Sequence, residues 1–279
     1  MTTQNLLSGG GTQLIDTETL VRRLRVTFVP ASVLTLILSG GFFADLPWAT
    51  TLWPWPASPL SYVFIASILA AIAIPLLWIA LAGELAAIRA GALDLIVMYG
   101  GMFVYTLARL GDRGEPRLWP YVVVFGLAGA SSAGAFIATR GIGWIDPRPM
   151  PRVVRVSFAT FVVILLPVAV ALLAHADIFP WRIGSETSAM FGFAYLGAAV
   201  YFTCGLLDSR WSNAAGQLAG FLVYDLILLA PFFDHFKVVH GGHLVSLVIY
   251  VALLLYSGGL GTYYLFLNRG TRMRLALSN

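Results

Sequence analysis

The sequence is poor in most of what builds a soluble active site. It holds one cysteine, Cys204, and one lysine, Lys237, among 279 residues. A lone cysteine excludes an internal disulfide framework, cysteine-based zinc sites and iron–sulfur ligation within one chain. Charged residues make up 11% of the chain, against about 25% in ordinary soluble domains. There is no P-loop, no GxSxG, no HExxH and no glycine-rich dinucleotide fingerprint after a strand. The Ser131-Ser132 and Ser185-Glu186-Thr187 groups have no histidine base at a recognisable distance in sequence, which argues against serine chemistry. No secretory cleavage signal precedes the first apolar run, so that run is expected to stay in place as an anchor.

What is present is hydrophobic. Apolar residues supply 59% of the chain and the mean hydropathy is +0.84, values of a polytopic membrane protein. A hydrocarbon core of about 30 Å takes roughly 20 helical residues to cross. Runs of that order lie near 26–43, 61–82, 85–108, 119–139, 153–174, 189–209, 213–233 and 244–267. They are too long and too uniformly apolar for barrel strands, and lipid leaves only the helix to satisfy the backbone. The expected fold is therefore all-α and integral to a membrane, with eight transmembrane helices.

The halves of the chain echo one another. Arg22, Arg25, Val26, Thr27 and Phe28 return as Arg152, Arg155, Val156, Ser157 and Phe158; Pro47-Trp48 returns as Pro180-Trp181. Asp94-Leu95-Ile96 returns as Asp225-Leu226-Ile227, and Arg140-Gly141 as Arg269-Gly270. The common order and nearly constant offset predict two tandem four-helix repeats, 25–140 and 153–268. A linker at 141–152 joins them, a polar arm covers 1–24 and a tail covers 269–279. An even number of spans per half gives both halves the same orientation, about an axis along the membrane normal. The expectation is two like-facing four-helix bundles side by side.

The net charge of +4 and pI near 9.4 come chiefly from arginines set between the apolar runs, which is the pattern of membrane topology rather than of nucleic-acid binding. With the N-terminus inside, only Arg109, Arg113, Arg117, Arg182 and Lys237 of the basic residues fall outside. Both termini are thus expected in the cytoplasm and the chain in the cell inner membrane.

Between the first two spans, LPWATTLWPWPASPL sets Trp48, Trp53 and Trp55 among four prolines. Indole rings favour the headgroup layer, so these three and Trp181 are expected as interfacial anchors, on a loop or short helix lying along the membrane. The segment resembles one in an uncharacterised group of bacterial polytopic membrane proteins, in which a WPWP-type segment ending in Pro-Leu precedes a span. That resemblance covers this segment alone and implies no function. Small residues at helical spacing, Gly126, Ala130 and Gly134 on span four and Gly216 and Gly220 on span seven, predict close helix contacts, within the chain or with a partner.

Asp94 and Asp225 carry the sharpest functional signal. They hold equivalent repeat positions about ten residues into their spans, where an ionised carboxylate costs at least about 2.5–3.5 kcal/mol. They read either as a proton or cation relay, with one or both carboxyls protonated, or as polar pins between helices through Tyr99, Tyr105 or Tyr224. All four histidines, His175, His235, His240 and His243, fall on the outer side with Asp234, a candidate ligand set whose spacing fits no standard zinc signature. Glu84 and Arg89 read as a solvated pair of little energetic weight.

Three functions remain open. The first is a non-catalytic integral subunit or scaffold of a larger membrane complex, in contact with lipids and other integral subunits and with room for bound pigment or quinone. The second is a proton or small-solute transporter or channel with Asp94 and Asp225 at the midplane. The third is a membrane enzyme modifying a lipid or isoprenoid at the outer histidines. The sequence specifies no cofactor.

Overall fold

The computed structural model of the protein describes residues 8–273, and the side chains of 22 and of 26–273 except 113. Residues 1–7 of the arm, and Arg274 with the rest of the tail, lie outside the described residues. Among the described residues nine α-helices follow one another: α1 (Ser8–Phe43), α2 (Pro47–Thr50), α3 (Pro59–Ala82), α4 (Ile88–Arg113), α5 (Trp119–Thr139), α6 (Arg152–Leu173), α7 (Ser185–Leu207), α8 (Trp211–His235) and α9 (Gly242–Thr262). All but the one-turn α2 contribute to eight segments long and apolar enough to cross a membrane. Among the described residues the only strand-like feature is an isolated bridge between Pro149 and Arg210. The chain is thus a multi-pass helical membrane protein.

Two boundaries differ from the sequence expectation. The helix of the first span starts at Ser8, within the polar arm, because adding a turn to a formed helix costs far less than nucleating one. The tryptophan-rich connection does contain a short helix, α2, opened by Pro47 at its first position.

The halves do not stand as separate bundles. Within each half the helices pair as hairpins, α1 with α3, α4 with α5, α6 with α7, and α8 with α9. The main contacts between hairpins cross the halves: α3 packs on α8 and α4 on α7, whereas α3 and α4 touch little. The result is two rows, α1-α3-α8-α9 and α5-α4-α7-α6, each containing helices from both halves. Side chains explain this interleaving. Gly220 of α8 lies where an added Cβ would come 2.7 Å from the Ala71 carbonyl of α3, and Gly101 of α4 lies directly under the Phe193 ring of α7. Small residues at these crossings let backbones approach where lipid removes the hydrophobic drive between helices. The Gly216 and Gly220 pair therefore packs inside the chain. On α5, Gly126 meets Phe103, but Ala130 and Gly134 face outward.

One end of the bundle is closed by the linker, and the closure is polar. Gly83 caps α3 in the left-handed conformation, φ 75°, a turn that glycine makes without a Cβ penalty. Glu84 follows, and is not the solvated partner of Arg89 that the sequence suggests. It is 4% exposed, and its two oxygens accept the backbone N–H groups of Ile145 and Asp146, each at 3.0 Å. Arg89 instead lies over the Trp144 ring, 5.1 Å from its centroid, and Arg210 lies over the same ring at 5.8 Å. The Trp144 indole N–H donates to Asp208 at 2.9 Å. Further along the linker, the Trp211 N–H donates to the Arg148 carbonyl at 2.7 Å, and the Asp146 carboxylate holds the Arg148 guanidinium at 2.5–2.9 Å. That hydrogen bonding raises the Arg148 pKa above its ordinary value, so its guanidinium stays charged. An acid and an arginine from each short loop, 83–89 and 208–210, thus grip one segment.

Truncating Glu84 to alanine strands two N–H groups that now meet a charged acceptor. We expect a loss of about 2 kcal/mol, read as a lower thermal midpoint in detergent with faster proteolysis within 141–151. Glu84→Gln, which keeps one acceptor oxygen, should fall between alanine and the parent.

Candidate functional site: a cavity between the two rows

Between the rows lies a cavity of about 300 Å³. Its wall draws on α3 and α4 from the first half and on α6, α7, α8 and α9 from the second, and it reaches the loop at Ile178 and Phe179. Both Asp94 and Asp225 are part of that wall. Most of the lining is apolar: eight aromatic side chains, among them Phe64, Phe161 and Phe221, with aliphatic residues between them.

The two carboxyls are not set alike. Asp94 is the seventh residue of α4 and Asp225 the fifteenth of α8. At about 1.5 Å per residue they lie roughly 9 and 21 Å beyond the linker ends of their helices. Equal positions in the repeat are therefore not equal depths, because α4 is preceded by a 3-10 turn, Leu85–Ala87, that takes up the first part of its span. Asp94 is half-buried and lies against α7, where a Cβ on Gly197 would come 2.2 Å from its Oδ1. Asp225 is 2% exposed and lies against Gly258 of α9, and among the described residues neither of its oxygens has a hydrogen-bond partner within 3.5 Å. Ser257, on α9 beside Gly258, donates to the Leu253 carbonyl at 2.7 Å.

Other polar groups complete the wall. The hydroxyls of Tyr195, Tyr224 and Tyr250, from α7, α8 and α9, close on one another: Tyr250 bonds to both of the others, and Tyr195 and Tyr224 are 3.4 Å apart. Gln217 donates its Nε2 to the Tyr201 carbonyl at 2.9 Å, while its Oε1 is buried without a partner. The sequence does not show this set, because its members come from three helices and no spacing links them. Of the three hydroxyls it pointed only to Tyr224. Neither aspartate has a hydrogen bond to Tyr99, Tyr105 or Tyr224 among the described residues, so the pinning role expected through those tyrosines has no bond behind it.

The remaining candidates do different work. His235 donates from Nε2 to the Pro180 carbonyl at 3.1 Å, and His243 from Nδ1 to the Phe179 carbonyl at 2.7 Å; both fasten the loop that borders the cavity. His175 sits exposed in a left-handed turn, φ 59°, and His240 is exposed; Asp234 pairs with Lys237 at 2.7 Å on the surface. Among the described residues, no three His, Cys, Asp or Glu side chains are grouped to hold a metal ion, so the outer histidines do not come together as a ligand set.

The tryptophans divide as well. Trp48 is 51% exposed, as an interfacial anchor requires. Trp55 and Trp181 are each 6% exposed and belong to the core. The Trp181 indole N–H donates to Ser61 at 2.9 Å, with Phe64, Phe179 and Phe232 around its ring. Trp53 donates to Thr187 of α7 at 3.3 Å and packs edge-on against Trp55. Buried hydrogen-bond acceptors outcompete the headgroup layer for the Trp53 and Trp181 indoles, each of which then ties the loop of its own half to the other half.

Comparison with protein-family models, with curated proteins and with solved structures finds no match to this chain.

Proposed function

We propose that this protein is a transporter for a small solute, which binds in the cavity between the two rows with Asp94 and Asp225 as its charge-handling groups. The observation that carries this reading is the single cavity reaching both aspartates. A scaffold subunit that holds no pigment or quinone needs a filled interior, because protein interiors are normally close-packed. It also gives no use for a carboxyl left without a partner inside an apolar wall, which costs free energy unless something pairs with it. The outward-facing Ala130 and Gly134 on α5 favour a docking role, and that reading stands second.

The transporter reading is joined to two further inferences about the assembly. The four-helix halves are tandem repeats about an axis along the membrane normal. In support, the set of helix pairings is unchanged when the halves are exchanged, α3 with α8 becoming α7 with α4. The linker end and both termini face the cytoplasm, in an inner membrane, because most arginines lie there. The moving parts are then the two rows rather than the two halves, since each half is divided between the rows.

Access decides between transport and scaffolding. In a Cys204→Ser background, Ala198→Cys places one thiol in the wall of the cavity. Transport requires that this thiol react with a membrane-impermeant maleimide in right-side-out and in inside-out vesicles alike. Labelling from one side only, or from neither, rejects it.

A further inference from the structure

We infer that the cavity takes an organic ammonium ion with an apolar body, a protonated amine rather than a neutral amphiphile or an anion. The inference deepens the transporter reading and rests on it.

Three features of the wall point the same way. Among the described residues no lysine, arginine or histidine lines the cavity; the ionisable acids there are the two carboxyls, and an anion has no cation to meet. With Asp225 ionised, the cavity's unpartnered buried polar atoms among the described residues are all acceptors: both oxygens of Asp225 and the Oε1 of Gln217. Of the phenols in the wall, Tyr195, Tyr224 and Tyr250 form a closed set of three, which leaves the Tyr201 hydroxyl as the phenolic donor still free among the described residues. A quinone or another ligand that only accepts would find the Tyr201 hydroxyl but would leave these three acceptors unmet. An ammonium group supplies both the charge and the N–H donors that these atoms lack, in charge-assisted hydrogen bonds stronger than neutral ones.

The rest of the wall fits the rest of such a molecule. Phe161 and Phe221 stack at 5.8 Å, and with Phe64 they present ring faces or edges to the cavity. Ring faces attract a cation within about 6 Å and also bury an apolar body. The volume of about 300 Å³ falls at the small end of the ligand pockets of proteins, about 300–1,000 Å³. No covalent step is involved. A carboxyl that is protonated when the cavity is empty gives its proton to solvent as the ammonium ion arrives, and takes one back as it leaves.

The test uses the full chain purified in detergent and three probes on one skeleton: 4-phenylbutylammonium, 4-phenylbutanol and 4-phenylbutyrate. By titration calorimetry the ammonium ion should bind at least about tenfold more tightly than the alcohol, the size expected of a hydrogen bond to a charged group, and the carboxylate should not bind. Its affinity should fall as pH is lowered, since protons and ammonium compete for the same oxygens. Asp225→Asn and Asp94→Asn should each weaken the ammonium ion about tenfold or more, in samples whose gel-filtration profile and thermal midpoint show a folded protein. Equal binding of alcohol and ammonium, or unchanged affinity in both variants, overturns the inference. Should no ammonium binding be seen while the Ala198→Cys thiol is labelled from both sides, the solute class is wrong and transport stands; one-sided labelling removes both.

Discussion

Replacing Asp225 by leucine is expected to raise the thermal midpoint of the protein in detergent while abolishing ammonium binding. Asp225 is 2% exposed, and both of its oxygens lack hydrogen-bond partners among the described residues. A buried polar group left unsatisfied costs about 1–3 kcal/mol, and replacing it with an apolar group of similar shape removes that cost. Leucine has room here, because the side chain borders the cavity and its near neighbour on α9 is Gly258, where even an added Cβ would stand 3.5 Å from Oδ2. The gain should be about 1–2 kcal/mol, or roughly 3–5 °C. Asp225→Asn should gain much less, since it leaves two polar atoms in the same place. Asp94→Leu should also gain less, because Asp94 is only half-buried and its Oδ1 lies close against Gly197 of α7, which leaves little room for a leucine. A residue whose removal stabilises the fold is held there for another purpose. If Asp225→Leu instead lowers the midpoint by a kilocalorie or more, the carboxyl is a structural pin between α8 and α9.

The parts of this structure that the sequence shows are those governed by hydropathy. Eight apolar runs become eight membrane-length helices, and the Asp94 and Asp225 pair, noticed because charge inside a span is expensive, lies on one cavity. Pairing between helices is not governed by hydropathy. A lipid-facing residue such as Val163 and a cavity-lining one such as Leu165 are equally apolar, so the pattern does not say which helix meets which. The decision to interleave rests on single atoms at crossings, as at Gly101 beneath Phe193. The polar clamp at the linker was hidden for a related reason. Glu84 and Arg89 look like an ordinary surface pair until the chain brings Trp144, Ile145 and Asp146 back across them, some 60 residues later. Tryptophan misled in one respect: an indole in an outer loop suggests the headgroup layer, but Ser61 and Thr187 offer Trp181 and Trp53 acceptors inside the protein.

Interleaving makes a second large effect calculable. At Gly220 an added Cβ would stand 2.7 Å from the backbone oxygen of Ala71 and 2.9 Å from Cγ of Pro75, a ring atom that no rotamer can move aside. Gly220→Ala must therefore push α8 away from α3 along the main contact that joins the halves in that row. Forcing one methyl group into a packed site usually costs about 1–3 kcal/mol, and the backbone neighbour puts this case at the upper end, near 3 kcal/mol. Gly134→Ala is the matched control, since an added Cβ there meets nothing within 4 Å and alanine is the better helix former by about 1 kcal/mol. In detergent the first variant should lose roughly 6–10 °C in thermal midpoint, with aggregation in gel filtration, while the second should hold or rise. The cavity gives the same substitution a second readout. Gly220 and Ala71 both line it, so parting α8 from α3 widens the wall beside Phe221 and Asp225. Ammonium binding in whatever Gly220→Ala protein remains folded should weaken with it. Equal midpoints for the two variants would mean that α3 and α8 are not in contact, and the interleaved rows would have to be abandoned for two separate bundles.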